Sequence, residues 1–278
     1  VPQAASDPRV ALEAIGLLPD AEIDLADAAL QLARIDAPDA DWLAARAHLS
    51  HLAREAAGLA AAIPPDDAAG QGAALAELLA GRHGYAGDSE TYDDLANANL
   101  IRVVERRRGL PVALGILWLH AAGAAGWAAY GVDFPGHFLV ALPGAGEKIV
   151  LDPFFGGRRL QARELRTRLR RIKGAPAEPT AAALTPMSPR AVLIRLQNNI
   201  RLRRLEAGDT AGALACGLDT LRIAPREPQL WHEAGLLHWR LEQVAAALRC
   251  FERYAALVPP EDAARARKML DELRSRLN

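Results

Sequence analysis

GHFLVALPGAGEKIVLDP, residues 136–153, sets β-branched and aromatic residues on either side of a Pro- and Gly-rich reversal. That pattern predicts an antiparallel hairpin. With PGAG (143–146) as a four-residue loop, Leu142 pairs with Glu147 and His137 falls directly opposite Asp152. Directly paired side chains share a face, with Cβ atoms about 4.5–5.5 Å apart. The register therefore predicts a His137–Asp152 hydrogen bond on one side of the sheet. Phe138, Val140, Ile149 and Leu151 take the other side, against a buried helix. A carboxylate beside an imidazole fixes its tautomer and stabilises its charged form, the base-and-orienter half of a catalytic triad. On spacing alone an ordinary cross-strand polar pair fits equally.

Upstream, WAAYGVDF (127–134) reads as a further strand, and LPVALGILWLHAAGAAG (110–126) as a helix apolar nearly all round, hence central and buried. Pro111 stands in its first turn, where a missing N–H does no harm. A helix is expected from about Asp93 to Arg108, ended by Gly109, and GRHGYAGDSETYDD (81–94) reads as a loop. Earlier still, AEIDLADAALQLARI and DWLAARAHLSHLAREAAGLAAAI carry apolar residues at three- and four-residue intervals, with Asp39 a cap for the second. Helices first and sheet afterwards make an α+β class. The expected division is a helical N-terminal region, 1–84, packed on a core, 85–173, then a Pro- and Ala-rich linker, 174–187, and an all-α region, 188–278.

The last third repeats itself. At an offset of 34 residues Ala211 meets Ala245, Ala213 meets Ala247, Leu214 meets Leu248, Cys216 meets Cys250 and Pro225 meets Pro259. A helix–turn–helix period of 34 is the tetratricopeptide signature. Trp231, Gly235, Ala247, Phe251 and Pro259 stand at its spacings, while His238 replaces the usual tyrosine and Glu242 a common glycine. EDAARARKMLDELRSRL reads as a capping helix. Such an array serves as a peptide-binding groove or as a packing extension.

Composition limits the function classes. Apolar residues make up 51% and charged residues 24% of 278 positions, and a formal charge of −1 gives no bulk attraction to nucleic acid or anionic membranes. The basic stretches around 158–173 and 195–204 read as solvated faces. No apolar run reaches the roughly 18 residues that span a bilayer, and VPQAASDPRV lacks a secretory pattern. Two dispersed cysteines make neither a disulfide framework nor a CxxC site. A cytoplasmic location is expected. His48 and His51 in HLSH share a helix face without a third ligand in view, and HEAGLLH has the wrong spacing for a zinc protease. Neither metal nor cofactor is expected.

The order of buried helix, His strand and Asp strand resembles the transglutaminase-like (papain-like) superfamily. The chain is more specifically similar to the SirB-type family, in which such a domain precedes tetratricopeptide-like repeats. Asn97 in YDDLANANL, Arg107, Gly109 and Pro111 in RRRGLP, PGHFLV and LDPFFGG carry the resemblance; Asn99 and Ile101 depart from it. It implies a Cys–His–Asp chemistry with the cysteine in the first turn of the Pro111 helix, where the helix N-terminus lowers a thiol pKa. Pro111, Val112 and Ala113 stand there instead. The implied reading is a non-catalytic or atypical protein that binds a protein or peptide partner. His137 and Asp152 form its pair, and Asn97, Arg107, Gly109, Pro111, Gly136 and Phe138 line or shape the cleft. The alternative is an amide hydrolase or acyltransferase using activated water or a hydroxyl such as Ser89 or Thr91.

Overall fold

The computed structural model describes residues 7–144, 148–173, 184–259, 262 and 270. These divide into two compact units, Pro19–Leu196 and a second made of Val1–Leu18 with Gln197–Asn278. Helix α1, Pro8–Leu17, belongs to the second. Its Arg9 donates to Asp219 at 2.9 and 3.1 Å, and a Cβ on Gly16 would lie 2.1 Å from the Arg222 carbonyl oxygen.

The larger unit opens with α2, Leu25–Asp36, whose cap Asp24 accepts from the Ala26 and Asp27 N–H groups. Helix α3, Trp42–Ala60, is capped by Asp41, not Asp39: the Asp41 carboxylate accepts from Ala44 N–H at 2.9 Å. Helix α4, Ala68–Ala76, continues into a π-helical turn, Glu77–Arg82, that ends at His83. Two short parallel strands, β1 (Ala86–Gly87) and β2 (Arg108–Gly109), flank a 3-10 turn, Leu95–Asn97, and helix α5, Leu100–Arg106.

The single helix expected from Asp93 to Arg108 is thus broken. Asn99 is extended (φ −88°, ψ 115°), its carboxamide oxygen caps Arg102 N–H, and its Nδ2 donates to the Ala33 carbonyl at 2.9 Å. A side chain that bonds local and distant backbone competes with helix continuation. Arg107, at φ +59°, closes α5 in the left-handed region.

Helix α6, Pro111–Ala124, is buried on almost every side, as its composition predicts. Three strands follow: β3 (Tyr130–Phe134), β4 (His137–Leu142) and β5 (Ile149–Asp152). Next come β6 (Arg158–Leu160), α7 (Ala162–Lys173) and β7 (Pro186–Met187), and the sheet order is β6-β5-β4-β3-β7, antiparallel throughout. Strands β6 and β7 fall in stretches read as basic surface and linker. Edge strands of two or three residues carry too little periodicity to be seen in sequence. Residues 174–183 of that linker lie outside the described residues.

The hairpin register differs from expectation by two residues. Leu142 pairs with Ile149, Ala141 with Val150 and Val140 with Leu151, so His137 is not directly opposite Asp152. Of the four-residue loop, Ala145 and Gly146 lie outside the described residues, as does the expected partner Glu147. A slip of two keeps each side chain on its face, because the side-chain period is two. Phe138 still packs on Gly115 of α6, and Ile149 and Leu151 on Gly72 of α4. The opposite face clusters Val132, Phe134, Leu139, Ala141, Val150 and Leu160 with Leu165 of α7.

In the second unit α8, Pro189–Glu206, contributes its residues from Gln197 onward, followed by α9 (Thr210–Ile223), α10 (Pro228–Arg240) and α11 (Val244–Leu257). A Cβ on Gly235 would lie 2.5 Å from Phe251, so this small residue lets α10 and α11 meet. Most of the expected capping helix lies outside the described residues; Leu270 packs on Ala247 and Phe251. Among the described residues, no helix is long and apolar enough to cross a membrane.

Candidate functional site

Chain reversals bring His137 and Asp152 together. Between β3 and β4, Phe134 pairs with His137 across Pro135–Gly136, with Gly136 at φ +70°. Proline followed by a left-handed glycine suits a type II turn, and it sets His137 as the first residue of β4. After β5 a 3-10 turn, Pro153–Phe155, leads into Gly156 (φ +65°) and Gly157 (φ +80°). Gly157 N–H donates to the Asp152 carbonyl at 2.8 Å, and a Cβ there would lie 2.0 Å from the Trp118 ring. Only glycine satisfies both demands.

His137 Nε2 lies 2.7 Å from Asp152 Oδ1. The imidazole is 15% exposed and the carboxylate fully buried. The expected pair is therefore present, reached along the diagonal of the ladder. Diagonal neighbours on one face are within reach of long or aromatic side chains.

Around the imidazole stands an aromatic wall. Phe155 stacks on it at 6.4 Å between centroids and Phe154 meets it edge-on at 6.1 Å, while Tyr92 packs on Phe154 at 5.8 Å. Phe155 and Tyr92 are 57% and 39% exposed. From α8, Arg195 donates to the His137 carbonyl at 2.8 Å and pairs with the Asp133 carboxylate. Burial lowers the Arg195 pKa, and the Tyr92 phenol opposes that shift. FF in LDPFFGG was visible as part of a motif. Tyr92 and Arg195, 45 and 58 residues from His137, gave no local signal.

Asn97 is fully buried. Its Nδ2 donates to the Thr91 carbonyl at 2.6 Å, its Oδ1 accepts from Arg106 at 3.3 Å, and its own carbonyl accepts from Leu110 N–H at 2.8 Å. It ties the Tyr92 loop to Leu110, the residue just before α6. Asp88 anchors the same loop. Hydrogen bonds from the Thr91 hydroxyl and N–H, with lesser support from Asn97 and Glu90, hold its carboxyl down at about 2, and Arg106 adds an ion pair at 2.9 Å.

The first turn of α6 presents Pro111, Val112 and Ala113, all buried. Gly109 packs against Val103, and Phe138 lies wholly in the core beneath the pair. The two thiols, Cys216 and Cys250, are buried in α9 and α11; Cys216 Sγ donates to Gln197 Oε1 at 2.9 Å, and burial pushes the Cys250 thiol up.

Arg107 is placed elsewhere. It donates to His48 Nε2 at 2.8 Å, bonds the Tyr85 hydroxyl and lies over the Tyr85 ring. Burial pushes the Tyr85 phenol up to about 12 against the opposing pull of Arg107. Burial first, then Arg107, lowers the His48 pKa to about 4. The expectation was that His48 and His51 pair without a third ligand; the structure instead brings Glu55, on the same helix, and His83, from the π-helical turn, to His51, while His48 turns to Arg107.

A family model described as the transglutaminase-like superfamily matches residues 44–198, and a tetratricopeptide repeat model matches residues 200–278. A UPF0162 protein of Xylella fastidiosa (strain Temecula1) is 35% identical over 190 residues, covering 67% of this chain and 68% of its own length. A UPF0162 protein of Vibrio cholerae is 27% identical over 243 residues, covering 87% and 89% respectively. One from Pseudomonas aeruginosa is 35% identical over 129 residues, 46% of this chain and 47% of that one.

Proposed function

The chain belongs to the transglutaminase-like superfamily, and from that premise we propose that it is a non-catalytic or atypical member that holds a protein or peptide segment against His137 and Asp152. The observation that supports this best is the His137–Asp152 hydrogen bond, present in a chain whose α6 first turn carries no nucleophile. A cysteine in the first turn of α6 would be activated by the helix terminus and a neighbouring imidazole, and Pro111, Val112 and Ala113 offer nothing that can attack. Losing one member of such a triad removes most of the rate. What remains can bind. The imidazole can exchange hydrogen bonds with a peptide amide, and Phe155 and Tyr92 supply exposed aromatic surface of the kind that anchors partners. The tetratricopeptide helices, a class that mediates protein–protein interaction, would add a second surface. A cytoplasmic setting suits two buried cysteines that are not joined in a disulfide.

The alternative, an amide hydrolase or acyltransferase, draws on the same His137–Asp152 hydrogen bond, which would suit activation of a water. A threonine nucleophile fits poorly, because the Thr91 hydroxyl donates to Asp88 at 2.7 Å.

The test uses untagged full-length chain and its His137→Gln and Phe155→Ala variants against a degenerate peptide array, with amine-incorporation and peptide-hydrolysis assays alongside. Peptide capture that weakens in both variants, with no turnover, is expected. Turnover abolished by His137→Gln would establish the enzyme instead. Capture unchanged in both variants would remove this cleft from the binding surface. Repeating the capture without residues 207–278, which spares β7, Arg195 and α8, assigns the share of the repeats.

A further inference from the structure

We propose that His51, Glu55 and His83 form a binding site for a divalent transition-metal ion of the Zn²⁺ class, with solvent water completing the coordination. His51 and Glu55 are one helical turn apart on α3, so they share a face. His83 reaches them from the end of the π-helical turn. His83 Nε2 is 2.6 Å and His51 Nε2 3.2 Å from the same atom, Glu55 Oε2, and the three ligand atoms all lie within 4.8 Å of one another.

A tetrahedral shell with bonds of about 2.0–2.2 Å places neighbouring ligand atoms roughly 3.3 Å apart. The triangle seen here brackets that spacing, and small side-chain rotations bring it into line. Two imidazoles and one carboxylate are borderline donors, suited to zinc and its neighbours rather than to magnesium or calcium. They also match the three-ligand sets of open zinc sites that keep one position for water.

Exposure grades across the site. His83 is 16% exposed, Glu55 29% and His51 51%. The open position therefore faces solvent on the His51 side. His48, whose Nε2 accepts from Arg107, lies outside this group of ligand atoms. An ion here would fasten α3 to the segment Gly84–Gly87, which leads directly to Asp88 and the Tyr92 loop. Its role is that of a clamp on the chain that reaches the His137 cleft.

The experiment is titration of untagged, chelator-stripped full-length chain with Zn²⁺ by calorimetry, together with the visible spectrum on adding Co²⁺ and the melting temperature with and without Zn²⁺. One equivalent should bind, the Co²⁺ spectrum should be that of a four-coordinate ion, and the melting temperature should rise by mass action. His51→Ala, at an exposed position where the fold is not at stake, and Glu55→Gln should each weaken binding at least about tenfold, the loss that even outer-shell substitutions produce. His232→Ala, on α10, should leave binding unchanged. Absence of stoichiometric binding, a Co²⁺ spectrum of the hydrated ion, or undiminished affinity in His51→Ala and Glu55→Gln would each overturn the site.

Discussion

Replacing His137 by alanine removes the imidazole from a carboxylate that is fully buried. A hydrogen bond to a charged group contributes about 1.5–3 kcal/mol, and breaking a buried ion pair from one side costs about 3–5 kcal/mol. The imidazole is 15% exposed, so the space it leaves gives water a route to Asp152. The loss should fall near the lower range, about 2–3 kcal/mol. Much of it is the cost of burying the carboxylate without its imidazole. Asp152→Asn in the same chain should then restore part of the stability that His137→Ala removes. Residues in direct contact couple by about 0.5–3 kcal/mol in a double-mutant cycle, and about 1 kcal/mol or more is expected here. Urea denaturation measures the totals, and amide hydrogen exchange in β4 and β5 reads the same effect locally. A His137→Ala loss under about 0.5 kcal/mol, or strict additivity in the cycle, would refute this account of the pair.

Three further outcomes follow from single positions. Glu242 is exposed and sits at φ +61° between α10 and α11; Glu242→Gly should relieve about 1 kcal/mol of left-handed strain and raise the melting temperature. Gly115→Ala should destabilise in chemical denaturation, because its Cβ would stand 2.2 Å from the buried Phe138 ring and overpacking costs about 1–3 kcal/mol against at most about 1 kcal/mol of helix propensity gained. The Asp88 carboxyl is held at about 2, below its ordinary 3.8. Its contribution is therefore complete above about pH 4 and lost as pH falls through about 2. Asp88→Asn should flatten the decline of the urea midpoint across that window.

Much of the molecule was legible in one dimension because its signals are local. The apolar run of α6, the alternation of β3, β4 and β5, and the 34-residue offset among the C-terminal helices each follow from a fixed period. The pairing of His137 with Asp152 was legible too, though through the wrong register. Loop length was inferred from PGAG, whereas the ladder is set by Phe138, Ile149 and Leu151 seating on the glycines of α6 and α4. Parity survived the two-residue slip, and so did the pair.

The sequence by itself determined the longer helices and the three central strands, which faces are apolar, and that the first turn of α6 carries no nucleophile, since periodicity and residue identity are properties of neighbours along the chain. Tertiary structure alone decided that Tyr92, Phe155 and Arg195 surround His137, that Arg107 turns away to His48 and Tyr85, and that His83 joins His51 and Glu55. Those associations join residues 18 to 59 positions apart. They arise where separate elements end against one another, and no local period encodes where two ends will meet.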